Sequence, residues 1–309
     1  MSSERVVVAL KYKYIGDAVL TTPLLHALAG SYNRPHVLVA PHLKQLLQEE
    51  PGLEFLEADS GKSVSQFFAQ LRTLRAGSYD VALLVNRNVR SALVARLAGI
   101  KRRIGFPTEG RGFLLTDRVP YDEVGPEGAS YARLGEPLGL VVPTFPPRLM
   151  VTDAERALGE KLLDGATVGI QPGASWSTRA LPTSFAAKIA NELSDAGHKV
   201  ALIGGKDERP FTEALLPKLH KPPADLVGNC KLRETMGALA GLKVFIAADS
   251  GIVHTAVALG VPTVTTFSLS PALKWGHDYS PHRVFVAPDK DMAKMDVDGV
   301  IAAAFERLS

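Results

Sequence analysis

The chain has 309 residues, of which 46% are hydrophobic and 22% are charged, and its formal net charge is +3 at pH 7. This composition is that of an ordinary globular protein, and the length predicts two domains because one hydrophobic core seldom supports so many residues. The charge is too small to indicate nucleic acid binding, and the single cysteine, Cys230, excludes an internal disulfide.

The start of the chain leads directly into an apolar strand, without the three regions of a signal peptide. No apolar run reaches the length that spans a bilayer. We therefore expect a cytoplasmic protein that meets a membrane only at its surface.

Strands and helices alternate through the first half of the chain. Apolar runs predict strands at 5–10, 36–40, 53–57, 80–85 and, with basic character, 101–106. Helical spacing predicts helices at 18–28, 41–50, 64–75, 89–97 and near 130–138. This alternation is typical of a parallel sheet with helices on both faces.

The second half repeats this alternation after a stretch rich in proline and glycine. Strands are predicted at 167–171, 199–203, 244–248 and 263–267, and helices at 184–193, 211–219, 232–240, after Gly251 and at 297–308. Because the stretch at 120–147 ends near residue 150, we expect domains at 1–150 and 151–309. The position of the last helix, at 297–308, stays open, because this helix could instead pack against the first domain.

A glycine turn follows the most apolar of these strands. Asp249-Ser250-Gly251 comes at its carboxyl end and opens a helix, whose free N–H groups suit an anion. Ser250 and His254 could add donors. The simpler alternative is that Asp249 caps the helix and His254 is a core histidine. Glycine turns at Pro172-Gly173 and Gly204-Gly205 follow two other strands, and their convergence favours a cleft that binds nucleotide phosphates.

Several other chemistries lack their motifs. The chain has no Gly-x-Gly-x-x-Gly at a strand end, no P-loop lysine motif, no Gly-x-Ser-x-Gly elbow and no Cys/His cluster for zinc. Asp296 and Asp298 have the spacing of a metal-binding pair, but acidic residues are expected in the first turn of any helix. A nucleotide-activated donor is therefore the best remaining substrate class, and we expect no metal site.

Four segments then carry a resemblance to a known family. The first is Lys11-x-x-x-Ile15-Gly16-Asp17-x-x-Leu20-Thr21-Thr22-Pro23, and the second joins Tyr79-Asp80, Asn88-x-Arg90-Ser91 and Arg102-Arg103-Ile104-Gly105-Phe106. The third is Gln171-Pro172-Gly173-Ala174-Ser175 with Arg179-x-Leu181-Pro182, and the fourth is Asp249-Ser250-Gly251-x-x-His254. In order and spacing they resemble the bacterial lipopolysaccharide heptosyltransferases, glycosyltransferase family 9.

The resemblance implies a GT-B fold, an α/β architecture of two Rossmann-like, doubly wound parallel-sheet domains facing a central cleft. It implies inverting, metal-independent transfer of a heptose from ADP-heptose to an anionic glycolipid acceptor, the inner core of lipopolysaccharide. The nucleotide sugar would be a co-substrate, and no cofactor is expected. Contact with nucleic acid is not expected, whereas peripheral contact with the inner membrane surface is.

The resemblance also assigns residues. Asp17 takes the position of the general base that deprotonates the acceptor hydroxyl, whereas its simpler interpretation is an N-cap of the helix that follows. The residues implied at the acceptor are Lys11, Gly16, Arg87 and Arg103. The residues implied at the donor are Ser175, Arg179, Glu208, Cys230, Asp249, Ser250, Gly251 and His254. Of these, Arg179 stands where the family usually has lysine, Glu208 is the candidate ribose-binding acid, and Cys230 falls at the adenine pocket.

Two other functions stay open at this stage. Ser268-Leu269-Ser270-Pro271 departs from the family's usual Gly-Pro-Thr, so a GT-B transferase with a different nucleotide sugar is an alternative. A second alternative is a nucleotide-sugar-binding protein without catalysis. The presence of Asp17 speaks against that second alternative.

Overall fold

The computed structural model describes residues 2–10, 13–58, 63–174 and 177–309. The chain divides into two compact units, Met1–Leu149 and Met150–Ser309. The division falls at the end of the stretch rich in proline and glycine. Each unit contains one parallel sheet with helices around it.

The first unit begins with a buried strand and alternates strands with helices. Its strands are β1 (Val6–Ala9), β2 (His36–Val39), β3 (Glu54–Glu57), β4 (Val81–Leu84), β5 (Arg102–Gly105) and β6 (Asp117–Arg118). Its helices are α1 (Ile15–Leu20), α2 (Thr22–Ser31), α3 (Pro41–Leu47), α4 (Val64–Gly77), α5 (Val89–Leu97) and α6 (Glu127–Arg133).

The second unit repeats this organisation. Its strands are β7 (Val168–Ile170), β8 (Val200–Leu202), β9 (Ala224–Asp225), β10 (Val244–Ala248), β11 (Thr263–Phe267) and β12 (Arg283–Val286). Its helices are α7 (Asp153–Leu163), α8 (Thr183–Asp195), α9 (Arg209–Leu215), α10 (Leu232–Ala240), α11 (Gly251–Ala258), α12 (Ala272–Trp275) and α13 (Val297–Leu308).

The two sheets have the same topology. The first has the order β3-β2-β1-β4-β5-β6, and the second, read from its other edge, has the order β9-β8-β7-β10-β11-β12. Every pairing in both sheets is parallel. The fold class predicted from the sequence, two doubly wound parallel sheets, is confirmed. In such sheets the strand order reverses between the first and fourth strands, and ligands bind at their carboxyl ends.

The central strands are apolar because helices cover both faces of each sheet. All residues of β1, β4, β10 and β11 are buried. Strands β1, β4 and β10 are continuous apolar runs, as is typical of parallel strands, whereas β11 includes three threonines. The last helix, α13, packs against α8, β10 and β11, and so belongs to the second unit.

The helix predicted at 18–28 is wrong in one respect, because the structure has two helices there. The break falls at Thr21, which lies between α1 and α2. Pro23 explains the break, since a proline inside a continuous helix lacks an N–H and clashes with the carbonyl four residues earlier. The hydroxyl of Thr22, the first residue of α2, donates to the Val19 carbonyl of α1 at 2.8 Å and ties the two helices together.

Within the described ranges, no helix combines the length and the apolar character that a bilayer span requires.

Helices α7 and α10 cross with almost no space between their backbones. A Cβ atom on Gly159 would overlap the Gly237 carbonyl carbon, and one on Gly237 would overlap the Glu155 carbonyl oxygen. These two glycines therefore set the distance between the helices. Because the obstacle is backbone, no side-chain rotation can relieve the overlap.

Gly237→Ala is expected to lower the free energy of unfolding by about 2 kcal/mol or more, because the overpacking outweighs the gain in helix propensity. Urea unfolding of the full chain measures it. Gly30→Ala is the control, since Gly30 lies in α2 with no heavy atom within 4 Å of the added Cβ. That variant should be neutral or more stable by up to about 1 kcal/mol, and equal losses in both would refute the crossing argument.

Candidate functional site

Asp17 lies in the first turn of α1, just beyond the carboxyl end of β1. Its side chain is buried, with 4% exposure. The interpretation of Asp17 as a helix N-cap is wrong, because Tyr14 occupies the N-cap position and Asp17 is already helical. The carboxylate is thus directed to other side chains instead of to the helix terminus.

The partners of Asp17 come from α6 and the segment before it. The Tyr131 hydroxyl bonds Asp17 Oδ1 and also lies 2.6 Å from Glu127 Oε1. The Tyr121 hydroxyl donates to Glu127 Oε2 at 2.5 Å. Burial raises the pKa of Tyr131 well above its usual value. Burial raises the pKa of Tyr121 too, so both phenols keep their protons.

Arg87 joins this group through an aromatic face. It follows β4, and its guanidinium carbon lies 4.3 Å from the centre of the Tyr121 ring. Such a cation–π contact holds a guanidinium in place without neutralising it. The structure therefore brings two predicted residues, Asp17 and Arg87, to the ends of one connected set of side chains.

A fully buried arginine organises the loops around this edge. Arg111 is 0% exposed and donates to the carbonyls of Phe106 (2.8 Å), Asn88 (3.1 Å) and Leu84 (3.3 Å). Burial lowers its pKa to about 10. Because these carbonyls belong to the ends of β4 and β5 and to the start of α5, Arg111 fixes the loop that carries Arg87.

The other predicted acceptor residues have different outcomes. Gly16 is buried in the first turn of α1, next to Asp17. Arg103 donates to the carbonyls of Ile100, Lys101 and Leu114, so its guanidinium serves the amino end of β5. That end is opposite to the one where Asp17 lies, and the placement does not support acceptor binding by Arg103. Lys11 lies outside the described residues.

In the second unit, three polar side chains meet at the carboxyl ends of β7, β8 and β10. Gln171 Nε2 donates to Glu208 Oε1 at 2.9 Å, and the Ser250 hydroxyl donates to Gln171 Oε1 at 2.7 Å. Glu208 also accepts the Gly205 N–H at 2.6 Å. Glu208 is 6% exposed, so its carboxylate stabilises the Gly204-Gly205 turn.

Asp249 does not cap helix α11, so the simpler interpretation of this residue is wrong. Its carboxylate accepts from Arg179 Nη1 at 3.1 Å, and Ser250 holds the N-cap position without a side-chain capping bond. The Arg179 side chain is 31% exposed and that of Asp249 is 11% exposed. The structure thus brings Arg179, Asp249, Ser250 and Gly251 together at the amino terminus of α11.

His254 lies one turn into α11 and is 4% exposed. Its Nδ1 lies 2.8 Å from His277 Nε2, and His277 Nδ1 lies 3.1 Å from the Tyr279 hydroxyl. Burial, followed by the charges of His254 and His282, lowers the pKa of His277 to about 2. His277 is therefore neutral in this chain of rings. The burial of His254 and its ring partner agree with its interpretation as a core histidine.

Two residues predicted at the nucleotide-sugar site remain, Cys230 and Ser175. Cys230 is partly buried against the apolar cluster around Leu226 and Leu239, and burial raises the pKa of its thiol. Ser175 lies outside the described residues. Asp296 caps α13 and Asp298 pairs with Lys188 at 2.5 Å. The part of the chain that the structure describes holds no group of three or more His, Cys, Asp or Glu side chains suited to a metal ion.

Sequence reasoning missed the partners of the predicted residues: Tyr121, Glu127, Tyr131, Arg111 and Gln171. Glu127 and Tyr131 are four residues apart and share a helix face, which is a usable signal once the helix start is known. Gln171 stands at a strand end in front of a glycine turn, where a polar side chain is expected to face a ligand. Arg111 gave no signal, because nothing in a sequence marks an arginine as buried.

Two Rossmann-type sheets in one chain, each with polar side chains at its switch point, define the GT-B architecture. A solved structure of ADP-heptose lipopolysaccharide heptosyltransferase II from Escherichia coli has this fold, with a TM-score of 0.84 at 22% identity. The superposition covers 98% of each chain.

The sequence pattern of glycosyltransferase family 9 (heptosyltransferase) matches residues 67–297. The chain therefore belongs to this family and is a glycosyltransferase. Lipooligosaccharide heptosyltransferase 2 of Haemophilus influenzae is 26% identical over 279 residues, which cover 82% of this chain and 80% of that protein. Lipopolysaccharide heptosyltransferase 2 of Escherichia coli is 26% identical over 265 residues, covering 80% and 74%.

Proposed function

We propose that this protein transfers a heptose from ADP-heptose to the inner core of a lipopolysaccharide, with inversion at the anomeric carbon and without a metal ion. The family match over residues 67–297 is the observation that carries the proposal. The two similar enzymes named above act, by their names, on lipopolysaccharide or lipooligosaccharide. The similar solved structure is named for ADP-heptose.

In the proposed reaction, Asp17 is the general base. Its carboxylate removes the proton of an acceptor hydroxyl as that oxygen attacks the anomeric carbon from the face opposite the leaving group. The bond between the anomeric carbon and the diphosphate oxygen breaks, and ADP leaves with that electron pair. One displacement inverts the configuration, and the proton ends on Asp17. The burial of Asp17 supports this role because it keeps bulk water from the carboxylate.

The diphosphate that leaves needs positive potential. Arg179 supplies a cation, and the amino terminus of α11 supplies free N–H groups where Gly251 lets the ligand approach closely. The ion pair with Asp249 orients the guanidinium of Arg179 at 3.1 Å. An arginine where the family usually has lysine keeps the charge but offers two parallel donors to one phosphate.

We place the acceptor near Asp17, with Arg87, Gly16 and Lys11 as its proposed neighbours. The contact of Arg87 with the Tyr121 ring supports an interaction with an anionic group, because it orients the guanidinium and leaves its charge in place. Because the proposed acceptor is a glycolipid, we propose that the enzyme works in the cytoplasm and contacts the inner membrane at its surface. The proposed reaction requires no cofactor.

Thermal unfolding with ADP, UDP, GDP, dTDP and CMP tests the donor. We expect the largest rise in Tm with ADP, because a ligand that binds only the folded state stabilises it by about 2.7 kcal/mol at 100 times its Kd. Arg179→Ala should lose most of this rise. In the unmodified protein, transfer of heptose from ADP-heptose should be unchanged by EDTA, because the proposed reaction uses no metal ion.

Each other result has a definite meaning. A preference for another base would keep the fold but replace the donor by a different nucleotide sugar, as the unusual Ser268-Leu269-Ser270-Pro271 segment allows. Binding of ADP without any transfer would favour the non-catalytic alternative. Loss of transfer in EDTA that Mn²⁺ restores would overturn metal independence.

A further inference from the structure

A connected line of four side chains leads from Tyr121 to Asp17, and we call it the proton chain: Tyr121, Glu127, Tyr131 and Asp17. Its three links are Tyr121 to Glu127 Oε2 at 2.5 Å, Tyr131 to Glu127 Oε1 at 2.6 Å, and Tyr131 to Asp17 Oδ1. Glu127 and Tyr131 are 0% exposed and Asp17 is 4% exposed. Bulk water therefore does not mediate these links.

The protons of the two phenols do not suffice for three hydrogen bonds. Tyr121 gives its proton to Glu127 Oε2. Tyr131 has one proton but contacts two carboxyl groups, so it can donate to only one of them. The remaining contact needs a proton from a carboxyl group. Either Glu127 or Asp17 is therefore a neutral acid in this arrangement.

The positions of the two carboxyl groups decide between them. Glu127 is fully enclosed and lies between two phenol oxygens, whereas Asp17 lies at the end of the chain and keeps slight exposure. Burial favours the uncharged form of a carboxyl group. With the proton on Glu127 Oε1, every link has one donor and one acceptor, and all donors point toward Asp17.

We propose that Glu127 and Tyr131 are positioning residues for Asp17: neutral Glu127 donates to the Tyr131 oxygen, and Tyr131 donates its own proton to Asp17. This assignment rests on the proposed role of Asp17 as the base. Oδ1 of Asp17 is then fixed by Tyr131. The bond from Tyr131 also stabilises the anionic form of Asp17.

The other ionisable side chains on the helices packed against α1 have partners elsewhere or are exposed. These helices are α2, α3 and α6. His26 contacts Glu50, Lys44 contacts Glu57, Arg133 contacts Glu136, and His42 is exposed. Arg87 faces Tyr121 at the far end of the proton chain. Among the described residues of these helices, Glu127 and Tyr131 are thus the pair directed at Asp17.

Tyr131→Phe removes the bond to Asp17 and keeps the ring in its buried place. We expect kcat to fall by about tenfold or more while both KM values change little, because a hydrogen bond to a charged group is lost. A role in packing alone would lower the stability without this separation of kcat from the two KM values. An unchanged kcat would overturn the proposal.

Two variants of Glu127 distinguish whether this side chain acts as a neutral acid or as an anion. Glutamine reproduces the neutral acid, because its amide N–H can donate to Tyr131 while its oxygen accepts from Tyr121. Glu127→Leu should lose about as much kcat as Tyr131→Phe, and Glu127→Gln should recover most of that loss. A glutamine variant as poor as the leucine variant would show that Glu127 acts as an anion, which overturns the assignment even if Tyr131→Phe does not fold.

Failure of the underlying function would look different. If Asp17→Asn keeps full turnover, Asp17 is not the base and the proposed mechanism fails first. If Asp17→Asn is inactive but the Tyr131 and Glu127 variants behave as wild type, the mechanism stands and the positioning role is wrong. Thermal unfolding of each full-length variant confirms that the compared proteins are folded.

Discussion

Asp17→Asn is expected to lower kcat by about 10²- to 10⁴-fold, the usual contribution of a general base, while the affinity for ADP stays nearly unchanged. Asparagine keeps the size of the side chain, and its oxygen can still accept from Tyr131, but it cannot take a proton from an acceptor hydroxyl. The proposed nucleotide-binding side chains belong to the second unit, whereas Asp17 belongs to the first. Turnover with ADP-heptose and calorimetric titration with ADP measure the two effects.

Glu50→Gln is the control for this change. Glu50 is another buried carboxylate of the first unit, with 4% exposure, and its partner is His26 at 2.7 Å. The variant removes a buried charge without touching the proton chain, so its kcat should stay close to that of the wild type. Substantial turnover by Asp17→Asn would remove Asp17 as the base, and an equal loss in Glu50→Gln would reduce the effect to general destabilisation.

Arg111→Met is expected to lower the free energy of unfolding by about 3 kcal/mol or more. The substitution fills much of the space, but it leaves three carbonyls without their donor, those of the buried Leu84 and Phe106 and that of Asn88. Each buried polar group that loses its partner costs about 1–3 kcal/mol. Urea unfolding of the full chain, followed separately for each transition, measures the loss.

Arg118→Met is the matched control. Arg118 is exposed and donates to the Gly112 carbonyl at 3.0 Å. Its removal should change the free energy of unfolding by about 0.5 kcal/mol or less, as is usual for exposed positions. Similar losses in the two variants would show that the buried bonds of Arg111 do not stabilise the unit.

The elements that the sequence predicts well carry strong local signals. Val89–Leu97 begins where Asn88 accepts from the Ser91 N–H, and Val244–Ala248 is apolar throughout. The edge strand β12 was missed because its apolar run, Val284-Phe285-Val286, is short and its residues are half-buried or exposed. Helix α7 was missed although Thr152 and Glu155 form a capping box that marks its start.

The candidate site was predictable only in part, for a similar reason. Asp17 could be placed from its segment, because a loop after a first strand meets the switch point of the sheet. Tyr131 is 114 residues away, and its contact depends on α6 starting at Glu127 instead of near residue 130. The position of the Arg103 guanidinium was not predictable, because a basic strand shows its charge in the sequence but not toward which end of the strand the side chain is directed.

The bonds around Gln171 also determine the polarity that a ligand meets at Ser250. The Glu208 oxygen bonded to Gln171 is an acceptor, so the Gln171 amide nitrogen must face Glu208 and its oxygen must face Ser250. The single proton of the Ser250 hydroxyl is thereby used within the protein. Ser250 presents only lone pairs outward. The Ser250 oxygen can therefore bond only a group that brings its own proton, so the donors that an anion meets at this turn are the N–H groups of α11 and not this hydroxyl.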